Sequence, residues 1–275
     1  MTSEPDITPD RRLIVHCGLQ KTGSTSLHHF VGRNRAALAG RMAVLTPEKG
    51  SLTRELGRAA VRFSLNPASR QREALADLAR QMSARIKGSA PTVLISHENL
   101  LGAMLGNGPT VTLYPQLEAI IAILGETFAP LQPEFVVYTR DMSDWKHSVY
   151  GQAVRSDRYA KSRAAFLQET ADCGDWTDLY KRFVAQVGSG SVRFFRLEDE
   201  ADPRRPAQQL LRSAGLSNDE IAALSPVQGR SNPGLNAGAL EFMWRLNGLG
   251  LDRPVRRRIA DLVVAQQSLF VSEPA

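Results

Sequence analysis

Five short segments of the chain are apolar or β-branched at nearly every position: Leu13 to Cys17 (LIVHC), Met42 to Leu45 (MAVL), Thr92 to Ser96 (TVLIS), Phe135 to Thr139 (FVVYT) and Val192 to Arg196 (VRFFR). Runs this brief, without polar alternation, fit strands covered on both faces. Between them the pattern changes to the helical period. Leu75, Leu78, Met82 and Ile86 form one stripe and Leu117, Ile120, Ile121 and Leu124 another, each on one side of a 3.6-residue repeat. Ser217 followed by Glu220 has the capping-box spacing and predicts a helix starting near Asn218. From Asn236 onward the pattern reads as two helices separated by GLGLDRP. Strand runs alternating with helical stripes predict an α/β fold of three layers, a mainly parallel five-stranded sheet between helices. No internal repeat, low-complexity block or shift in composition marks a second domain. Residues 11 to 275 therefore read as one domain with a helical C-terminal part, preceded by a loose tail over residues 1 to 10.

Composition narrows the class. A chain of 275 residues, 43% of them hydrophobic, can bury a full core, which excludes a disordered protein. Two cysteines, Cys17 and Cys173, are too few for a disulfide framework. No window approaches the roughly 20 apolar residues of a membrane-spanning helix. The opening MTSEPDITPD has neither a basic nor an apolar signal region, so a cytoplasmic location is expected. Thirty-four Lys and Arg against 28 Asp and Glu leave a net charge of +6, which favours anionic ligands without choosing one. The densest basic run, Arg253 to Arg258, reads as a solvated helix face.

The most informative segment is Gly18-Leu-Gln-Lys-Thr-Gly-Ser-Thr-Ser-Leu27, between the first strand run and a helical pattern. A glycine-bearing turn from strand to helix places backbone N–H groups and a helix N-terminus around an anion. Gly18 and Gly23 have the spacing of the two glycines of a Walker loop, but the lysine lies at Lys21, inside the loop, and Ser24 follows the second glycine. No strand run ends in a clear Walker-B aspartate. The arrangement suits a phosphate ester needing one cation and several N–H donors better than a metal–triphosphate complex.

The phrase HCGLQKTGSTSL resembles the 5′-phosphosulfate-binding loop of the P-loop sulfotransferases, particularly the bacterial and carbohydrate-type members. The resemblance implies 3′-phosphoadenosine 5′-phosphosulfate (PAPS) as donor, held by Gly18, Lys21, Thr22, Gly23, Ser24, Thr25 and Ser26, with Lys21 also catalytic. Gln20 stands where that family often has proline. A second anion site is then needed for the 3′-phosphate. The fourth strand run leads into Arg140, with Ser148 eight residues on in the next predicted helix, and this pair resembles the family's 3′-phosphate motif. Asp141 and Trp145 are expected to shape the turn and pack the helix. In GRSNPG, Arg230 corresponds to a family segment that closes over the nucleotide.

Sulfuryl transfer to a hydroxyl requires a proton acceptor. The third strand run ends in Ser96-His97-Glu98-Asn99, at the sheet edge that faces ligands, making Glu98 the first candidate and His97 the second. His16, His28, His29 and His147 are scattered, and no Cys/His spacing suggests zinc, so no metal is expected. The absence of G-x-S-x-G and G-x-G-x-x-G disfavours serine hydrolases and Rossmann dehydrogenases. Two rivals share the architecture: a P-loop kinase or other nucleotide triphosphate enzyme, and a noncatalytic nucleotide-binding or interaction module. Specific nucleic-acid binding is not expected. The acceptor implied by the resemblance is a saccharide or glycolipid hydroxyl. Segments 46 to 70, 100 to 115 and 150 to 175 are expected to line its pocket, and they carry Arg54, Arg58, Arg62, Arg155, Arg158 and Arg163.

Overall fold

A computed structural model describes residues 12–87, 90–228 and 234–271. The first half of the chain runs β1 (Arg12–Cys17), α1 (Ser24–Arg33), α2 (Arg35–Leu38), β2 (Met42–Leu45), α3 (Leu52–Leu65), α4 (Ser69–Ile86), β3 (Thr92–His97) and α5 (Leu117–Phe128). The second half runs β4 (Pro133–Thr139), α6 (Met142–Ser156), α7 (Arg163–Glu169), α8 (Trp176–Val187), β5 (Val192–Arg196), α9 (Gln208–Ser213), α10 (Asn218–Ala223), α11 (Ala237–Asn247) and α12 (Arg253–Ala265). All five predicted strands are present. They form one sheet in the order β2-β3-β1-β4-β5, every pairing parallel.

The strand residues explain why the sheet is covered on both sides. Leu13, Val15 and Cys17 of β1, Val93 and Ile95 of β3, and Phe135 and Val137 of β4 point into one core with α3, α4, α5, α6 and α8. Ile14, Leu94, Val136 and Tyr138, one residue out of phase, point into a second core with Leu27, Phe30 and Val31 of α1 and Leu210 and Leu211 of α9. Burying a side chain of this size contributes about 1.5–3 kcal/mol, and a strand apolar on successive residues collects that on both faces. Both predicted stripes turn inward, although Leu78 is only partly covered. The predicted capping box closes α10: Ser217 accepts from the Glu220 N–H, and the Glu220 carboxylate accepts from the Ser217 N–H.

The C-terminal pair α11 and α12 lies on the α6 side of the sheet, with Ala239, Met243, Ala260 and Val263 in the first core. The basic run of α12 departs from a wholly solvated face. Arg256 is buried, its guanidinium donating to Asn247 Oδ1 at 2.9 Å and to the Val154 carbonyl at 2.7 Å. No helix among the described residues is long and apolar enough to cross a membrane.

Candidate functional site

The first predicted loop wraps the carboxyl end of β1, the central strand of the sheet. Thr22 closes it locally, its hydroxyl donating to the Leu19 carbonyl at 2.7 Å. Lys21 has φ 69° and Gly23 φ 90°, so a non-glycine residue occupies the left-handed region in the middle of the turn. Such a conformation is costly and is characteristic of a ligand-holding segment. Gly23 is also the N-cap of α1, and neither a capping side chain nor an acidic residue in the first turn occupies that helix end. Its N–H groups and the positive end of its dipole are left for an anion.

Gly18 is required by close packing. A Cβ there would collide with Ser24 Oγ, and that hydroxyl is buried without a hydrogen-bond partner among the described residues. Gln20 anchors the loop to the rest of the domain. Its amide donates to Asn99 Oδ1 and the Gly102 carbonyl, both at 3.0 Å, and accepts from the Tyr114 hydroxyl at 2.7 Å. Its backbone carbonyl accepts from the Trp145 indole at 2.8 Å. Where a proline would stiffen the turn through its ring, three side-chain hydrogen bonds do so here.

Arg140 leaves the end of β4 and donates to Ser148 Oγ at 3.3 Å and to the Lys21 carbonyl at 3.5 Å. The two sequence motifs, separated by more than a hundred residues, therefore meet. The Arg140 Nε is buried without a partner among the described residues. Asp141 caps α6 by accepting from the Asp144 N–H, and Trp145 is fully buried, as their expected structural roles require.

These elements border a cleft of about 930 Å³. Lys21, Gly23, Ser24, Thr25 and Ser26 line it from the loop, Arg140, Ser148 and Arg155 from β4 and α6, and Glu98 from the end of β3. Gly18 and Thr22 lie beneath this lining. Burial lowers the Lys21 pKa, and the Arg155 and Arg140 charges lower it further. Three cations thus converge, and among the described residues no carboxylate pairs with the lysine. Arg230 lies outside the described residues.

His97 and Glu98 occupy different environments. The His97 ring packs against α3, where any side chain at Gly57 would collide with it, and its Nε2 is buried without a partner among the described residues. His97 is not among the residues facing the cleft, whereas Glu98 is about one-third exposed there. Burial alone would raise the Glu98 pKa. The contact with His97 Nδ1 at 3.2 Å and the His97 and His28 charges outweigh it, leaving the carboxyl at about 2.

Behind Glu98 lies an arrangement that the sequence did not disclose. Ser96 Oγ is 2.8 Å from His16 Nδ1 and 2.9 Å from His28 Nε2, and the other side of the His28 ring lies 4.0 Å from Glu98 Oε2. Burial pulls His16 down to about 3, helped by the His28 charge, and pulls His28 to about 4 against the pull of Glu98. Both rings are neutral at neutral pH. A single hydroxyl proton can serve only one of them, so the other ring must donate its own N–H to Ser96. The structure brings them together through register, β1 and β3 pairing with His16 opposite Ser96.

Comparison of the sequence with protein-family models and with curated proteins returns no match. The chemistry has to be read from the residues themselves.

Proposed function

We propose that the protein is a PAPS-dependent sulfotransferase that transfers a sulfuryl group to an acceptor hydroxyl. The observation that carries this reading is the meeting of the two anion sites: Arg140, paired with Ser148, reaches the carbonyl of Lys21 in the phosphate-type loop. A donor with a phosphate at each end of its ribose needs two such sites in one cleft. The local chemistry fits. The Ser24 hydroxyl and the Arg140 Nε are buried donor groups without an acceptor among the described residues, and a buried donor left that way costs about 1–3 kcal/mol. Anionic oxygens would satisfy them.

In the proposed reaction, the bond from sulfur to the bridging oxygen breaks as the acceptor oxygen bonds to sulfur. The electron pair leaves on the 5′-phosphate and the acceptor proton passes to Glu98. Lys21 and the first-turn N–H groups of α1 offset the charge that grows on the leaving oxygen. Arg140 and Ser148 hold the 3′-phosphate. A carboxylate near pKa 2 is a weak base, but it is ionised throughout the neutral range. The acceptor oxygen becomes strongly acidic only once its bond to sulfur is forming, so a weak base accepting the proton late is sufficient. His97 and His28 act on Glu98 as positioning residues.

Calorimetric titration with adenosine 3′,5′-bisphosphate, AMP and ATP-Mg tests the assignment. The bisphosphate should bind most tightly, and Arg140→Ala should weaken it by roughly 30- to 100-fold, the scale of lost hydrogen bonds to a charged group, with little change for AMP. Preference for ATP-Mg would replace this reading with a triphosphate-dependent one.

A further inference from the structure

A second cavity, of about 570 Å³, adjoins the donor cleft, with Asn107, Arg155, Ser156 and Asp157 lining both. Beyond that shared wall it is formed by the C-terminal end of α6 and the first turns of α12, and Arg155, Arg158, Arg253, Arg256 and Arg257 all face it. Two carboxylates, Asp157 and Asp261, oppose those five cations. Among the described residues, Arg155, Arg253 and Arg257 make neither a hydrogen bond nor an ion pair through their side chains. Of the six arginines expected around the acceptor, Arg155 lines both cavities and Arg158 the second, whereas Arg54, Arg58, Arg62 and Arg163 line neither.

This charge placement opposes stability. The N-terminus of α12 carries the positive end of its helix dipole, yet its first turn contains no acidic residue and its N-cap Asp252 makes no capping hydrogen bond. Adding cations to that end is unfavourable. Burial works against the Arg256 cation, and the Arg158 charge adds to the effect. Arg158 itself sits at φ 64°, tied by its guanidinium to the Leu251 carbonyl at 3.0 Å. A sequence that breaks local rules at one concave place is best explained by a ligand that relieves the conflict.

Resting on the donor assignment above, we propose that this cavity binds an anionic group of the acceptor, so that the sulfated hydroxyl belongs to an oligosaccharide already bearing carboxylates or sulfate esters. Ser148, Gln152 and Arg155 follow one another along a single face of α6. Seven residues of helix place Arg155 about 10 Å from the 3′-phosphate residue Ser148. The donor cleft therefore opens into the second cavity along that face. Among the described residues the second cavity has no aromatic lining on which a nucleobase could stack, which separates it from a single-stranded nucleic-acid groove.

The test is calorimetric titration of the full chain, saturated with adenosine 3′,5′-bisphosphate, with a heparin tetrasaccharide, neutral maltotetraose or a short single-stranded DNA. The heparin fragment should bind and the neutral sugar should not. Arg253→Gln/Arg257→Gln should weaken the heparin fragment by roughly tenfold or more, as expected for lost charge-assisted contacts. The same variant should leave bisphosphate affinity unchanged. Arg70→Gln/Arg72→Gln, an exposed pair on α4, should have no effect on either ligand. Wild-type heparin affinity in the first variant, or tighter binding of DNA than of the heparin fragment, overturns the subsite and leaves the donor reading intact. Failure of the bisphosphate itself to bind overturns the donor reading, and the titration without nucleotide then decides whether the anion site stands.

Discussion

The loop from Gly18 to Ser26 and the arginine cavity between α6 and α12 present cations to two adjoining cavities, but they are built in opposite ways. The loop carries one cation and relies on backbone: a left-handed lysine, a glycine N-cap without side-chain capping, and a tight fit between Gly18 and Ser24. The cavity relies on side chains from two helices and the residues just beyond one of them. Fixed backbone donors suit charge that appears at one position during reaction, because they need not reorganise. Long guanidinium side chains adapt to groups that are charged before and after reaction. The loop should therefore act on the transition state and the cavity on ground-state binding.

Lys21→Ala gives the sharpest test of that division and the largest expected effect. Its kcat should fall by about 10²- to 10³-fold, the range for removing one pre-positioned donor from a transition state. Affinity for adenosine 3′,5′-bisphosphate should remain within about threefold, because Arg140 and the loop amides still hold it. Arg253→Gln/Arg257→Gln should show the converse kinetics, a higher acceptor KM with kcat retained. Equal losses of kcat and nucleotide affinity in Lys21→Ala would remove the distinction between the two regions.

Gln20→Ala should have an intermediate effect, on rigidity and stability. It leaves the buried Tyr114 hydroxyl and the Gly102 carbonyl without the partners they have at 2.7 and 3.0 Å. Two such losses correspond to about 2–4 kcal/mol, measurable as a lower urea midpoint with unchanged m-value. The same change in a loop already stiff by itself would be silent, so an unaltered midpoint would show that the loop does not depend on Gln20.

The two regions also differ in how far the sequence revealed them. The loop is contiguous, and the residues proposed to hold the donor stand in the same order in the chain as in space. Gly18, Lys21, Gly23 and Ser24 were legible for that reason, as were the strands, each apolar on both faces. Arg140 follows the end of β4 and Ser148 lies in the second turn of α6, so their pairing could be inferred across eight residues. The cavity joins α6 to α12 across about a hundred residues, and Arg256 looked like one more exposed cation until the fold placed it against Val154 and Asn247. His16, Ser96 and His28 were missed for the same reason. Their convergence depends on β1 pairing with β3 in one register, which no periodicity along a single strand specifies.

Asp157, on the wall shared by the two cavities, provides the smallest and most selective test. Burial raises its pKa to about 6, against the opposing influence of Arg256. Because the folded value lies above the unfolded one, its contribution to stability is fully present below about pH 4. It is lost as pH rises through 6, when the folded chain must hold a partly buried carboxylate. Asp157→Asn should therefore stabilise the protein by about 1–2 kcal/mol at pH 7.5, with the difference vanishing near pH 4. Binding should follow the same titration. In the wild type, ionised Asp157 opposes an incoming anion, so affinity for the heparin tetrasaccharide should fall between pH 5 and 7. In Asp157→Asn that step should be absent while Lys21-dependent turnover keeps its own pH profile. If the substitution flattened the turnover profile but left the binding step in place, Asp157 would belong functionally to the donor cleft, and the boundary between the two regions would have to move beyond it.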